Sequence, residues 1–137
     1  MIRNPSQPVP GTWDARDNLL RAMMTIRLHL ARTVRREAGL RWTSYTLLRL
    51  LCRHPDASPR TLAAHLATTP TGLTDHVAEL TTRNLVRHIP GPGDPESRPV
   101  QPTQAGVTLV HHLRRVLAAE EDRLLHLPDR PPLGARS

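Results

Sequence analysis

Apolar residues recur at helical spacing over two long stretches, with shorter blocks between them. Leu19, Met23, Ile26, Leu30 and Val34 follow one another at spacings of four and three, the stripe of a helix running from Trp13 to about Ala38. Arg16, Arg21, Arg27, Arg32, Arg35 and Arg36 fall mostly off that stripe, and Gly39 is its stop. Thr43 to Arg53 predicts a second helix with Leu47, Leu48, Leu50 and Leu51 on a broad buried face, ended by His54-Pro55. Ser58-Pro59 and Thr69-Pro70 each read as a capping hydroxyl followed by proline in the first helical turn. They open helices that run through Leu66 and Thr82, the latter with Leu73, Val77 and Leu80 inward.

Three helices in that order, the last two separated by a few residues, form a helix-turn-helix pattern. Asn84 suits a left-handed helix end, and Leu85 to Ile89 alternates like a short strand. Gly91 to Pro95 is a turn, and Pro99 to Pro102 is a returning strand. Pro90, Pro92, Pro95, Pro99 and Pro102 remove backbone donors, which leaves two expectations for the wing, a short degenerate ribbon or a loop. Thr103 caps a last long helix to about Leu127, striped by Val110, Leu113, Leu117 and Leu124. Residues 1–12 and 128–137, rich in proline, are expected to be a flexible arm and a loose tail.

Composition narrows the function. At 137 residues and 38% hydrophobic, the chain suits one domain with a modest core. No apolar run is long enough to span a bilayer, and the opening residues do not resemble a secretory signal. Cys52 alone makes no disulfide framework. The expectation is a soluble, cytoplasmic protein without membrane contact. All 19 basic residues are Arg, and the formal charge is +7, which invites nucleic acid as a partner. The excess is uneven, with +4 in residues 1–40, +2 in 41–103 and +1 in 104–137. The neighbours His111 and His112 diverge by about 100° on a helix, and Cys52 with His54 lacks a second ligand pair, so no metal site is expected. Phosphate-loop and hydrolase motifs are absent, so no cofactor and no catalytic residue is assigned.

The segment TLAAHLATTPTGLTDHVAELTTRNLVRH (61–88) resembles the winged helix-turn-helix of MarR-family bacterial transcription regulators. Leu62-Ala63, Thr68-Thr69, Val77, Leu80 and Leu85-Val86 match the family pattern, and Asp94, Val100, Thr103 and Gly106 follow where its wing and next helix lie. The resemblance spans about residues 15–127. It implies a mainly α fold: a winged lobe over 41–103, of three helices and a short β-wing, between dimerisation helices at 13–40 and 104–127. It further implies a homodimer that binds double-stranded DNA, with two lobes addressing successive major grooves. Thr69, Thr71, Thr74 and His76 would then face the groove, with Arg87, His88 and Arg98 on or near phosphates. A crevice between the dimerisation helices and the lobe would bind a small planar or aromatic ligand. Trp13, Arg16, His29, Trp42 and Tyr45 come from the segments that border it.

The chain departs from that pattern at three places. Thr74-Asp75 stands where the family commonly has Ser/Thr-Arg, His88 takes the place of a wing Arg, and Pro95-Glu96 occupies basic wing-tip positions. Aspartate can accept from cytosine N4, yet it gains nothing from a row of phosphates. Over 70–83 the charges are Asp75, Glu79 and Arg83, a net of −1. Two readings follow. The first is a ligand-responsive, homodimeric DNA-binding regulator. The second is the same scaffold without specific DNA binding, put to binding or transforming a small molecule, with His29 and Tyr45 as candidate acid–base groups.

Overall fold

The computed structural model describes residues 14–94 and 98–126, so the arm, Trp13, Pro95-Glu96 and the tail lie outside the described residues. Five helices and one two-stranded ribbon follow in the order α1 (Ala15–Ala38), α2 (Trp42–Arg53), α3 (Pro59–His65), α4 (Pro70–Thr82), β1 (Val86–His88), β2 (Val100–Pro102) and α5 (Gln104–His126). This is the mainly helical, winged architecture expected from the pattern.

Local chemistry sets the helix ends. Asp14 caps α1 by accepting from the Asp17 N–H at 2.8 Å, and Gly39 ends it at φ 67°, a conformation glycine adopts without strain. The Ser58 hydroxyl accepts from the Thr61 N–H at 3.1 Å, and the Thr69 hydroxyl accepts from the Gly72 N–H at 3.0 Å. Each therefore satisfies a donor that the first turn leaves orphaned, with proline next in line where no donor is needed. Between α3 and α4 the chain turns through Ala67 at φ 51°, and Asn84 closes α4 at φ 58°.

The wing is a ribbon rather than a loop. β1 and β2 pair antiparallel, with Val86 opposite Pro102, Arg87 opposite Gln101 and His88 opposite Val100. Proline lacks a donor but keeps its carbonyl, and the ladder is extended by the Ile89 N–H donating to the Pro99 carbonyl at 2.7 Å. Three paired residues per strand are what the prolines leave.

The core gathers Leu30, Val34, Leu40, Tyr45, Leu47, Leu48, Leu51, Leu80, Val110, Leu113 and Leu117 from α1, α2, α4, α5 and the turn before α2. The single stripe expected along α1 splits in two. Leu30 and Val34 are buried where α5 covers them, whereas Leu19, Leu20, Met23, Met24 and Leu28 stand exposed along the first half. Leu125, near the far end of α5, is also exposed.

The start of α5 is pressed against the entry to the wing. The Thr103 hydroxyl donates to the Asn84 carbonyl at 2.8 Å and accepts from the Gly106 N–H at 3.1 Å, and a Cβ on Gly106 would stand 2.1 Å from the Leu85 carbonyl oxygen. Gly106→Ala is accordingly expected to cost about 1–3 kcal/mol in denaturant unfolding. Gly91→Ala, with open space around its Cβ, serves as the near-neutral control. Equal stability of the two variants would show that this contact is not tight.

Candidate nucleic-acid interface

Helix α4 has two different faces. Inward, Leu73 and Leu80 are buried and Val77 is partly so. Beside them lies a polar cluster that ties α4 to the start of α2. The Ser44 hydroxyl, fully buried, donates to Glu79 Oε1 at 2.7 Å and lies 2.8 Å from His76 Nδ1. Arg41 closes the cluster through Nε and Nη2, each 2.7 Å from the same carboxylate oxygen.

Counting protons fixes the imidazole. A serine hydroxyl has one hydrogen, and here it goes to a carboxylate that can only accept. His76 Nδ1 must therefore donate to Ser44, which leaves Nε2 as the bare nitrogen of the neutral ring. Burial, joined by the charge of Arg41, lowers the His76 pKa against the opposing pull of Glu79 and Asp75. For Glu79, burial raises the pKa, but the bonds from Ser44 and Arg41 outweigh it and the net shift is downward.

Outward, Thr71, Thr74, Asp75 and Ala78 are exposed on successive turns. The Thr74 hydroxyl donates to the Pro70 carbonyl at 3.0 Å, and the Thr69 hydroxyl is engaged in the cap. His76 stands apart from the other groove candidates, because its ring is turned toward α2. The net charge of −1 counted over α4 and Arg83 is also redistributed, since Glu79 faces inward and is paired with Arg41. Asp75 is then the acid that α4 presents outward.

The wing candidates are held within the ribbon. Arg87 is exposed and lies across from Gln101, whose amide oxygen, correctly oriented, accepts from its Nε at 2.9 Å and Nη2 at 2.7 Å. This orients a guanidinium without neutralising it. His88 Nδ1 lies 3.2 Å from the Arg98 carbonyl, and Arg98 Nη2 donates to the Gly93 carbonyl at 3.1 Å. His88 and Arg98 thus brace the wing.

The ligand candidates are brought together only in part. Trp42 and Tyr45 pack with ring centroids 5.7 Å apart and planes tilted by 56°. Tyr45 is buried, and its hydroxyl makes no hydrogen bond of normal geometry, although Arg49 and Arg114 stand near it. Burial pushes the Tyr45 phenol up, against the charges of those two arginines. Arg16 lies in the first turn of α1, about 20 Å along the helix from His29, so one chain does not unite them. Two surface hollows lie elsewhere. One, of about 410 Å³, is bordered by Leu50, His54, Ala57 and His65, and a shallower one lies along the His111–Arg115 face of α5. Among the described residues no three His, Cys, Asp or Glu side chains converge as a metal site.

Arg41, Ser44 and Glu79 went unassigned in the sequence, as did Arg49 and Arg114. Two of these left a trace there. Arg49 follows Tyr45 by four residues, and Glu79 follows His76 by three, and both spacings share a helix face.

The polar cluster gives a pH signature. A histidine whose folded pKa lies below its ordinary value of 6.5 adds stability that is complete above pH 6.5 and is lost as pH falls from there toward the folded value. His76→Gln is expected to remove that step. The stability gap between wild type and variant, read by urea unfolding, should narrow from pH 7.5 to pH 5. A gap constant across that range would place His76 outside the cluster.

The family model described as MarR family matches residues 38–94, from the end of α1 to the wing tip. Among curated proteins none matches the chain. Solved structures share the fold over most of its length. The Mycobacterium tuberculosis MarR family protein Rv2887 in complex with DNA is 23% identical, with a TM-score of 0.69 over 83% of this chain and 84% of that one. Rv2887 has also been solved with salicylic acid. MepR, a transcription regulator of the Staphylococcus aureus multidrug efflux pump MepA, is 14% identical, with a TM-score of 0.70 over 84% of each chain. CouR from Rhodococcus jostii RHA1, bound to p-coumaroyl-CoA, is 26% identical, with a TM-score of 0.67 over 80% of this chain and 78% of that one. The central lobe of this chain is therefore similar to the MarR family over residues 38–94, in a chain that shares the fold of Rv2887, MepR and CouR.

Proposed function

We propose that the protein is a homodimeric, ligand-responsive regulator that binds double-stranded DNA through α4 and the wing. The observation that carries the reading is the outward face of α4. Thr71, Thr74, Asp75 and Ala78 stand exposed, while the opposite face is anchored by Ser44, His76 and Glu79 beside a formed wing. A helix held rigidly on one side and free on the other is suited to entering a groove. Exposed Arg87 supplies a phosphate contact next to it.

The exposed row Leu19, Leu20, Met23, Met24 and Leu28 supports pairing of two chains, and Leu125 of α5 is exposed as well. Such a row is costly to leave in water and matches the apolar centre of an obligate interface. Two-fold pairing would set the lobes about 34–36 Å apart, one turn of duplex. We assign the ligand response to the surroundings of Tyr45, where Arg49 and Arg114 provide positive charge for a planar acid, opposed by Glu121. A ligand acts there by binding one lobe spacing more tightly than the other. Such a regulator works in the cytoplasm, and no described helix is long and apolar enough to cross a membrane.

Fluorescence anisotropy with duplex from the gene's own upstream region, against random duplex at two salt concentrations, tests the proposal. Tighter binding to the upstream duplex, steeply weakened by salt, is expected, with Arg87→Ala reducing the salt slope by about one per protomer. Met23→Glu should give a folded monomer by sedimentation, since Met23 is exposed in the single chain, and should weaken DNA binding sharply. Weak binding equal on both duplexes would contradict the regulator reading and move the function to the Tyr45 site.

A further inference from the structure

We infer that Asp75 is a base-reading residue that selects a cytosine in each half of the DNA site; the inference rests on the DNA-binding reading above. The two acids of α4 have different fates. Glu79 is turned inward and held by Ser44 and Arg41, so its charge is consumed within the protein. Asp75 is exposed, and among the described residues no hydrogen bond or ion pair engages its carboxylate; its neighbour His76 feels its charge. It lies between Thr71 and Ala78 on the stripe that nothing in the fold covers.

A free carboxylate at the centre of a groove-facing helix is opposed by the phosphates on either side, and it gains no counterion release. It is tolerable there only where a base edge offers a donor. Guanine presents N7 and O6, and thymine presents O4, all of them acceptors that repel it. Adenine offers N6–H, but with the N7 acceptor alongside. Cytosine offers N4–H and carries no acceptor of its own on the major-groove edge, so it is the base that fits. On this face Asp75 carries the charge, and the Thr71 hydroxyl is the other exposed polar group. The Thr74 hydroxyl is spent on the Pro70 carbonyl, and Ala78 has no polar atom, so both are left to make apolar contact with thymine methyl groups. Asp75 thereby supplies specificity by exclusion as much as by attraction, while affinity comes from arginines elsewhere.

The test is selection from a randomised duplex library with the full chain, wild type and Asp75→Asn, followed by anisotropy on single-base variants of the selected site. Wild type should select one near-invariant cytosine per half-site and lose at least about fivefold in affinity when it is changed. Asp75→Asn keeps the side-chain shape but both donates and accepts, so it should select adenine at that one position and leave the other positions unchanged. It should also bind random duplex more tightly than wild type does. Identical sites selected by both proteins, or a wild-type site with no cytosine dependence, would overturn the inference while leaving DNA binding intact. Failure of wild type to select any sequence would overturn the regulator reading together with it.

Discussion

The Ser44 hydroxyl is the contact on which the orientation of α4 depends. It is fully buried, it donates to Glu79, and it receives the Nδ1–H of His76, so one small side chain joins α2 to two successive turns of α4. Apolar packing of Leu73 and Leu80 would hold α4 against the lobe, but such packing is non-directional and tolerates rotation about the helix axis. The polar cluster removes that freedom. A buried polar group left without its partner costs about 1–3 kcal/mol, so a small roll of α4 that broke these bonds would be penalised directly. The rotation of α4 is what decides that Asp75 faces out and Glu79 faces in.

Much of the architecture was legible from local chemistry. Ser58-Pro59 and Thr69-Pro70 mark helix starts whose caps are seen in the structure, and Asn84 adopts the left-handed conformation its position suggested. The wing was the harder element. Its prolines argue against a ladder, yet a ribbon of three residues per strand needs few donors, and proline carbonyls still accept. The apolar stripe of α1 was visible in the sequence. Its division into a buried half and an exposed half was not, because that depends on how far α5 reaches along it.

The site was less legible than the fold, for a physical reason. Whether a polar residue on an amphipathic helix reads a partner or braces the fold depends on which element packs beside it. His76 and Asp75 are adjacent in sequence and have opposite roles in space: one bonded to Ser44, the other exposed. Charge counting misled in the same way. Glu79 contributes to a negative recognition helix on paper, but Arg41, from the turn before α2, cancels it in the folded chain. In the wing, Arg98 donates through Nη2 to the Gly93 carbonyl, while Arg87 is aimed by Gln101 and stays exposed.

The outward face of α4 therefore rests on a coupled cluster rather than on separate contacts. A double-mutant cycle between Ser44→Ala and Glu79→Ala, read by urea unfolding at pH 7.5, tests this most directly. Residues that share one hydrogen-bonded network should show a coupling of about 0.5–3 kcal/mol. Additive effects within about 0.3–0.5 kcal/mol would mean that Ser44 and Glu79 act independently, and that something other than this bridge fixes the face α4 turns outward.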